Sequence, residues 1–131
     1  MIRKWLGVSV PTVIALVLLN TSGCARDQKL NSITLSPSQG FVFEGPNAAG
    51  QFTAYGNYIH PPETKNISTI VTWSLNIANF GTVSADGLVT YMRTDGCGSG
   101  QVTATYNNSD GSVVVASAPV AGANNSGSSC Q

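Results

Sequence analysis

The chain has 131 residues, enough for one domain, and 9% of them are charged, against about 25% in ordinary soluble proteins. Lys and Arg together number six, as do Asp and Glu, so the formal net charge is zero. The sequence shows no cluster of Lys and Arg that could neutralise a run of phosphates, which argues against a nucleic-acid partner.

The N-terminus has the pattern of an export signal. Arg3 and Lys4 supply a positive charge, and residues 13–19 (VIALVLL) supply an apolar core. A bilayer-spanning helix needs about 20 apolar residues, so the sequence predicts a signal segment rather than a membrane span.

The small residues before Cys24 resemble the lipobox of bacterial lipoproteins, in which the cysteine is lipidated and the peptide before it is removed. Ser22 and Gly23 fit the two positions before the cysteine, but Thr21 stands where leucine is usual. The resemblance implies a signal peptide at residues 1–23, a lipidated Cys24 and a short polar tether at residues 24–31. Three alternatives stay open: ordinary signal-peptidase cleavage, an uncleaved anchor, and a secreted protein in which Cys24 is incidental.

From residue 32 to residue 120 the pattern predicts short strands with alternating apolar and polar residues. The predicted strands are 32–36, 51–55, 70–75, 80–83, 88–92, 101–106 and 112–120, and residues 41–43 form a compact apolar segment between two glycines. Asp86-Gly87 predicts a hairpin turn between two of them. Residues 56–65, with two consecutive prolines, are predicted to form a loop, and residues 121–131 a tail rich in Gly, Ser and Asn.

About seven short strands without an amphipathic helix predict an all-β, Ig-like sandwich of antiparallel strands at residues 32–120. Trp73 is expected at its centre, because an indole offers the largest apolar area of any side chain. The predicted core comprises Ile33, Leu35, Phe52, Val71, Trp73, Val83, Leu88, Val102, Ala104 and Val114.

Two cysteines remain after Cys24. In an oxidising, exported compartment a disulfide is the default for such a pair, so the sequence predicts a bridge between Cys97 and Cys130. Cys97 precedes one of the last two strands and Cys130 follows the other. If these strands pair antiparallel, the bridge ties the tail to the sheet.

Five short motifs in order resemble the group 2 bacterial Ig-like domains. The motifs are 33–37 (ITLSP), 51–54 (QFTA), 71–74 (VTWS), 83–89 (VSADGLV) and 102–105 (VTAT). The chain departs from the family at residues 95–100, which contain Cys97, and in the long segment 56–65. The resemblance implies a seven-stranded Ig-like fold of the kind found in bacterial and phage surface proteins, including adhesins, and implies no enzymatic activity.

Residue types that carry catalysis or bind metals have simpler explanations here. His60 is expected in an exposed loop, and no Gly-x-Ser-x-Gly elbow is present to position a nucleophile. Asp86, Asp95 and Asp110 each precede a glycine, as turns require, and no closely spaced oxygen ligands suggest calcium. The sequence therefore predicts no catalytic residue, no metal and no cofactor.

Four tyrosines, Tyr55, Tyr58, Tyr91 and Tyr106, are candidates for stacking on sugars or lining a protein interface. The alternative is that two or more of them close the edges of the core.

The combined pattern predicts a non-enzymatic, membrane-anchored lipoprotein of the cell envelope. Its expected partners are the membrane, through the lipid, and a protein or polysaccharide ligand. Ala25 lacks the acidic side chain that favours retention at the inner membrane in enterobacteria, which points to the outer membrane. The rival hypotheses are a structural accessory subunit of a larger envelope assembly and, less favoured, a hydrolase.

Overall fold

The computed structural model describes residues 28–93 and 97–123. The predicted signal segment, Cys24 and Cys130 lie outside these residues. The described part is all-β and contains ten strands. They are β1 (Lys29–Ser36), β2 (Phe41–Glu44), β3 (Ala49–Gln51), β4 (Thr53–Ile59), β5 (Glu63–Asn66), β6 (Thr72–Leu75), β7 (Gly81–Val83), β8 (Leu88–Tyr91), β9 (Gly98–Asn107) and β10 (Val113–Ala123).

The strands form two layers. One layer is a four-stranded sheet in the order β2-β10-β9-β6. The other combines the orders β1-β4-β5 and β3-β8-β7. These two groups are continuous, because Phe52 alone separates β3 from β4 and its N–H donates to the Gly87 carbonyl at 2.9 Å. The predicted all-β sandwich is confirmed.

All described pairs are antiparallel except β2 with β10, which run parallel. The strand count exceeds seven because two strands are interrupted. The first strand breaks at Pro37 and continues in the other layer as β2, and a second strand breaks at Phe52. The third addition is β5, for which the sequence predicts no strand.

Residues 56–65 form a hairpin rather than the predicted loop. Strand β4 continues to Ile59, and β5 pairs with it from Tyr58 opposite Glu63. The Asn57 amide donates to Ser32 Oγ at 3.1 Å and accepts from Thr64 Oγ1 at 2.8 Å. These side-chain bonds support a strand pair whose sequence lacks clear apolar alternation, which is why the pattern predicts a loop.

The domain is longer than predicted at both ends. Strand β1 begins at Lys29, inside the predicted tether, because Leu30 is fully buried. Strand β10 continues to Ala123, three residues into the predicted tail, because its last residues pair with both β2 and β9.

Most of the predicted core is buried. Ile33, Leu35, Phe52, Val71, Val102 and Ala104 are buried, whereas Trp73, Val83 and Val114 are partly buried and pack against the core.

The prediction that Leu88 lies in the core is wrong. Leu88 is 38% exposed, and Val89 is buried instead. In the β7–β8 hairpin Val83 lies opposite Val89. Residues directly opposite each other in a pair share a face, so Val89, not Leu88, points inward with Val83.

Four buried aromatic rings, with the partly buried Phe41 beside them, occupy the core where Trp73 is predicted to lie. Phe41 meets Phe52 edge to face at 5.0 Å, Phe80 meets Tyr91 at 4.9 Å, and Phe43 contacts both Phe80 and Tyr91. Glycines make room for these rings. A Cβ on Gly122 would lie 2.1 Å from the Tyr91 ring, and one on Gly50 would lie 2.7 Å from Phe41.

Trp73 lies to one side of this cluster. Its Nε1–H donates to the Ser68 carbonyl at 2.8 Å, and its ring packs under Gly87. The half-buried position suits a side chain with a large apolar body and one polar group that needs a partner.

Candidate functional site

The N-terminal end of the sandwich is closed by polar contacts around residues 28–30. Lys29 lies opposite Ile59 in the β1–β4 pair, and its ammonium forms an ion pair with Asp110 at 2.7 Å. The Asp110 carboxylate also accepts from the Ser112 hydroxyl at 2.6 Å. The Lys29 and Ser112 hydrogen bonds hold the pKa of Asp110 far below its usual value of 3.8. The Asp110 carboxylate thus stabilises the turn between β9 and β10 and links it to β1.

The other titratable candidates also have structural surroundings. His60 is exposed in the β4–β5 turn with a φ of 65°. The Ser84 hydroxyl donates to the Asp86 carboxylate, and this bond, with backbone N–H groups, lowers the pKa of Asp86. Asp95 lies outside the described residues. Within residues 28–93 and 97–123, no three His, Cys, Asp or Glu side chains lie close enough to hold a metal ion.

Of the four candidate tyrosines, more than one packs in or against the core, as expected if they close its edges rather than bind a ligand. Tyr91 is fully buried and Tyr58 is 9% exposed, whereas Tyr55 is 40% exposed. Tyr106 is partly buried and packs against the core. Burial, followed by the proximity of Tyr106, raises the pKa of the Tyr58 phenol. Only Tyr55 therefore has the exposure that a surface ligand would need.

The outer face of the four-stranded sheet is free of charge over three strands. Strands β6, β9 and β10 contain no charged residue. Most of their outward residues are hydroxyl-bearing or small and apolar, in rows such as Thr72–Thr105–Val115 and Ser74–Thr103–Ser117. Thr103 and Ser117 share a hydrogen bond of 2.9 Å across the sheet. Lys29, Glu63 and Lys65 lie instead on the opposite layer.

A groove of about 500 Å³ lies toward the end of this face that is remote from Lys29. It crosses three strands, because Phe41, Val120 and Gly100 are aligned in register. Its polar and apolar lining residues include Gln39, Val42, Asn76, Ser99, Gln101 and Pro119. Val42 is 71% exposed.

Asn76 is held in place at the groove. Its Oδ1 accepts from the Gln101 N–H at 2.7 Å, and its own N–H donates to the Gln101 carbonyl at 3.2 Å. Side-chain amides both donate and accept hydrogen bonds without carrying charge. The groove therefore offers neutral hydrogen-bonding groups beside an exposed apolar side chain, which suits a neutral sugar or peptide.

Sequence reasoning missed this groove. Its residues come from four distant parts of the chain, at 39–42, 76, 99–101 and 119–121. The available signal was the uncharged composition of the last strands.

The predicted cysteine sites fall at the border of the described residues. Cys97 directly precedes β9, whose Gly98 lies opposite Gly122 near the end of β10. The described residues contain no helix that is long and apolar enough to cross a bilayer.

Comparison with known proteins assigns no family: no protein-family model matches the sequence, and no curated protein matches it.

Proposed function

We propose that this protein is a non-enzymatic lipoprotein of the cell envelope that presents one group 2 bacterial Ig-like domain for binding or adhesion. In this proposal Cys24 carries the lipid, and the outer membrane is the favoured location. The ligand is a protein or polysaccharide.

The observation that carries the proposal is the opposite placement of the chain's entry point and the groove. Residue 28 enters beside Lys29 and the 107–111 turn, whereas the groove lies toward the Gly98–Gly122 end of the sheet. An anchor at Cys24 leaves four residues before residue 29, or at most about 17 Å of extended chain. The sandwich would then stand close to the membrane with its groove directed away.

The uncharged outer face supports a neutral ligand. Charged surfaces select partners by sign and lose affinity with salt. Binding through amides, hydroxyls and Val42 should instead vary little with ionic strength.

Binding is tested with the full chain, purified in mild detergent, on a glycan array and on whole cells. The double variant Val42→Arg/Gln101→Arg should weaken any bound glycan or cell-surface contact at least about tenfold. The matched control is the double variant Tyr55→Arg/Ile59→Arg, which adds the same two charges to exposed residues of the other layer. An equal loss of binding in both variants would show that the ligand does not bind in the groove.

Lipidation is tested separately by labelling growing bacteria with a fatty-acid analogue. Cys24→Ser should remove the label and release the protein from the membrane fraction, whereas Cys97→Ser should retain both. Persistence of the label in Cys24→Ser would contradict the anchor without affecting the binding proposal.

The alternative function is a structural accessory subunit of a larger envelope assembly. A specific observation favours it: one side of the sandwich leaves strand edges open, between β6 and β7.

A further inference from the structure

The groove on the outer face of the four-stranded sheet has a polar side and an apolar side. On the polar side, Ser99 and Gln101 belong to β9, and Asn76 directly follows β6. On the apolar side, Ala121 of β10 lies opposite Val42 of β2, and Val42 is 71% exposed. Ser99 lies opposite Ala121 in the same row. A ligand that crosses the strands therefore meets hydrogen-bonding groups on one side and aliphatic groups on the other.

The polar side chains of the groove are available to a ligand. Among the described residues, the side chains of Gln39, Ser99 and Gln101 have no hydrogen-bond partner. Asn76 uses its Oδ1 to accept from the Gln101 N–H at 2.7 Å, which leaves its Nδ2 as a donor. A side-chain amide donates and accepts at neighbouring atoms, as does a pair of adjacent hydroxyl groups on a sugar ring. These side chains therefore suit a ligand rich in hydroxyl groups.

An extended peptide is a poorer match for the groove. Peptides of this kind usually pair with a free strand edge. Strand β10, at the centre of the groove, is paired on both sides, and the backbone of Gln101 is hydrogen-bonded to Asn76. A peptide added to the edge strand β2 would run beside the sheet and not across its face. None of the described residues that line the groove is charged, so a charged peptide finds no partner there.

The size of the groove favours a small ligand over a folded partner or a second copy. Its volume is about 500 Å³, within the range of about 300–1,000 Å³ that is typical of small-molecule sites. The groove crosses three strands about 4.8 Å apart and two rows of residues about 6.8 Å apart, so its floor is on the order of 100 Å². A stable protein–protein interface buries about 800 Å² on each partner.

The apolar side of the groove is aliphatic. It is formed by Val42, Pro119 and Ala121. The ring of Phe41 packs instead against Phe52 in the core, edge to face at 5.0 Å. An aliphatic surface offers no aromatic face on which a sugar ring could stack, but it can remove a methyl group from water. A 6-deoxyhexose carries adjacent hydroxyl groups and one methyl group on the same ring.

We propose that the groove binds a neutral 6-deoxyhexose unit of a glycan. The sugar hydroxyls would bond to the side chains of Asn76, Ser99 and Gln101, and the methyl group would pack on Val42. This inference rests on the proposed binding function of the groove and names its ligand class. It does not depend on the lipid.

An NMR titration of the full chain in mild detergent tests the ligand class. The probes are L-rhamnose and L-fucose, and their matched controls are L-mannose and L-galactose, which carry a hydroxyl group on the sixth carbon. At least one of the two deoxy sugars should shift the side-chain amide signals of Asn76 and Gln101 in a saturable way. Its hydroxylated control should bind about tenfold more weakly, as expected for an apolar contact made by one carbon group.

Two serine variants locate the methyl group. Val42→Ser should weaken binding of the deoxy sugar about tenfold and leave binding of its hydroxylated control unchanged, so that the preference disappears. Val115→Ser makes the same change at a valine that is 55% exposed on the same face but outside the groove. This variant should keep the preference. Unchanged backbone signals from the core show that both variants are folded.

Four results would overturn the proposal. They are the absence of a shift at Asn76 and Gln101 with either deoxy sugar, equal affinity for a deoxy sugar and its control, an equal loss of preference in both serine variants, and shifts of these signals that depend on protein concentration without sugar. The last result would make a second copy the occupant. The binding function fails separately: a ligand from the glycan array or whole cells that requires Val42 and Gln101 would uphold that function even if both deoxy sugars fail.

Discussion

The side-chain amide of Asn108 pairs with both backbone groups of Leu30. The Leu30 N–H donates to Asn108 Oδ1 at 3.0 Å, and Asn108 Nδ2 donates to the Leu30 carbonyl at 3.1 Å. Both residues are buried, at 0% and 8% exposure. One amide side chain thus takes the place of a neighbouring strand at the start of β1, and it joins the point where the chain enters the domain to the β9–β10 turn.

Replacing Asn108 should therefore destabilise the domain. Asn108→Ala removes the partners of a buried N–H and a buried C=O, and each unsatisfied group costs about 1–3 kcal/mol. We expect a loss of about 2–4 kcal/mol, since the two penalties are partly relieved by water at the end of the sandwich. Urea unfolding measures it as a lower midpoint at an unchanged slope.

The neighbouring Asn107 is the control for this prediction, because its side chain is exposed. Asn107→Ala should change the free energy of unfolding by less than about 0.5 kcal/mol. A similar loss in both variants would mean that the Leu30 contact contributes nothing specific.

The ion pair between Lys29 and Asp110 predicts a pH dependence. The pKa of Asp110 is lowered in the folded state, chiefly by its hydrogen bond from Lys29. A carboxyl with a lowered folded pKa stabilises the fold at pH values above its unfolded pKa of 3.8, and this stabilisation is lost as the pH falls below that value. The difference in Tm between the wild type and Asp110→Asn should therefore be constant near neutral pH and shrink in strong acid.

Glu44→Gln is the control for the acid experiment, because Glu44 is an exposed carboxylate at the far end of β2. Asp110 is also exposed, so salt should reduce the Asp110 effect. An Asp110→Asn difference that grows as the pH falls would contradict the assigned sign.

The fold was predictable from the sequence where strands alternate clearly and turns carry a strong signal. The Asp86-Gly87 turn, for example, correctly separates β7 from β8. Which residues of β8 point into the core was not predictable, because Leu88 and Val89 are both apolar and the register of the hairpin decides which one is buried.

Val89 and Leu88 give a direct test of that register. Val89→Ala removes buried methyl groups and should cost about 2 kcal/mol. Leu88→Ala removes a larger side chain that is 38% exposed and should cost less than about 1 kcal/mol. Urea unfolding of the two variants should give this order, whereas the opposite order would restore Leu88 to the core.

The candidate site was less predictable than the fold. The uncharged composition of β6, β9 and β10 can be read from the sequence. The groove and the open edge cannot, since both depend on which strands become neighbours across long stretches of chain. The Asn108–Leu30 contact is hidden for the same reason, because an Asn-Asn pair in a turn predicts only the turn.

The bridge proposed between Cys97 and Cys130 is the last testable feature. Cys97 stands immediately before β9, and Ala123 ends the neighbouring strand β10, so the tail starts beside Cys97. Closing a loop of this size should stabilise the fold by roughly 3–4 kcal/mol on the chain-entropy model. Cys130→Ser should lose this stabilisation in urea unfolding without reductant, and Cys24→Ser, which lies before β1, should not.

Mass spectrometry of the unreduced protein should find a peptide pair joined through Cys97 and Cys130. Alkylation of both cysteines in the unreduced protein would contradict the bridge and leave the sandwich, which is held by its core, unaffected.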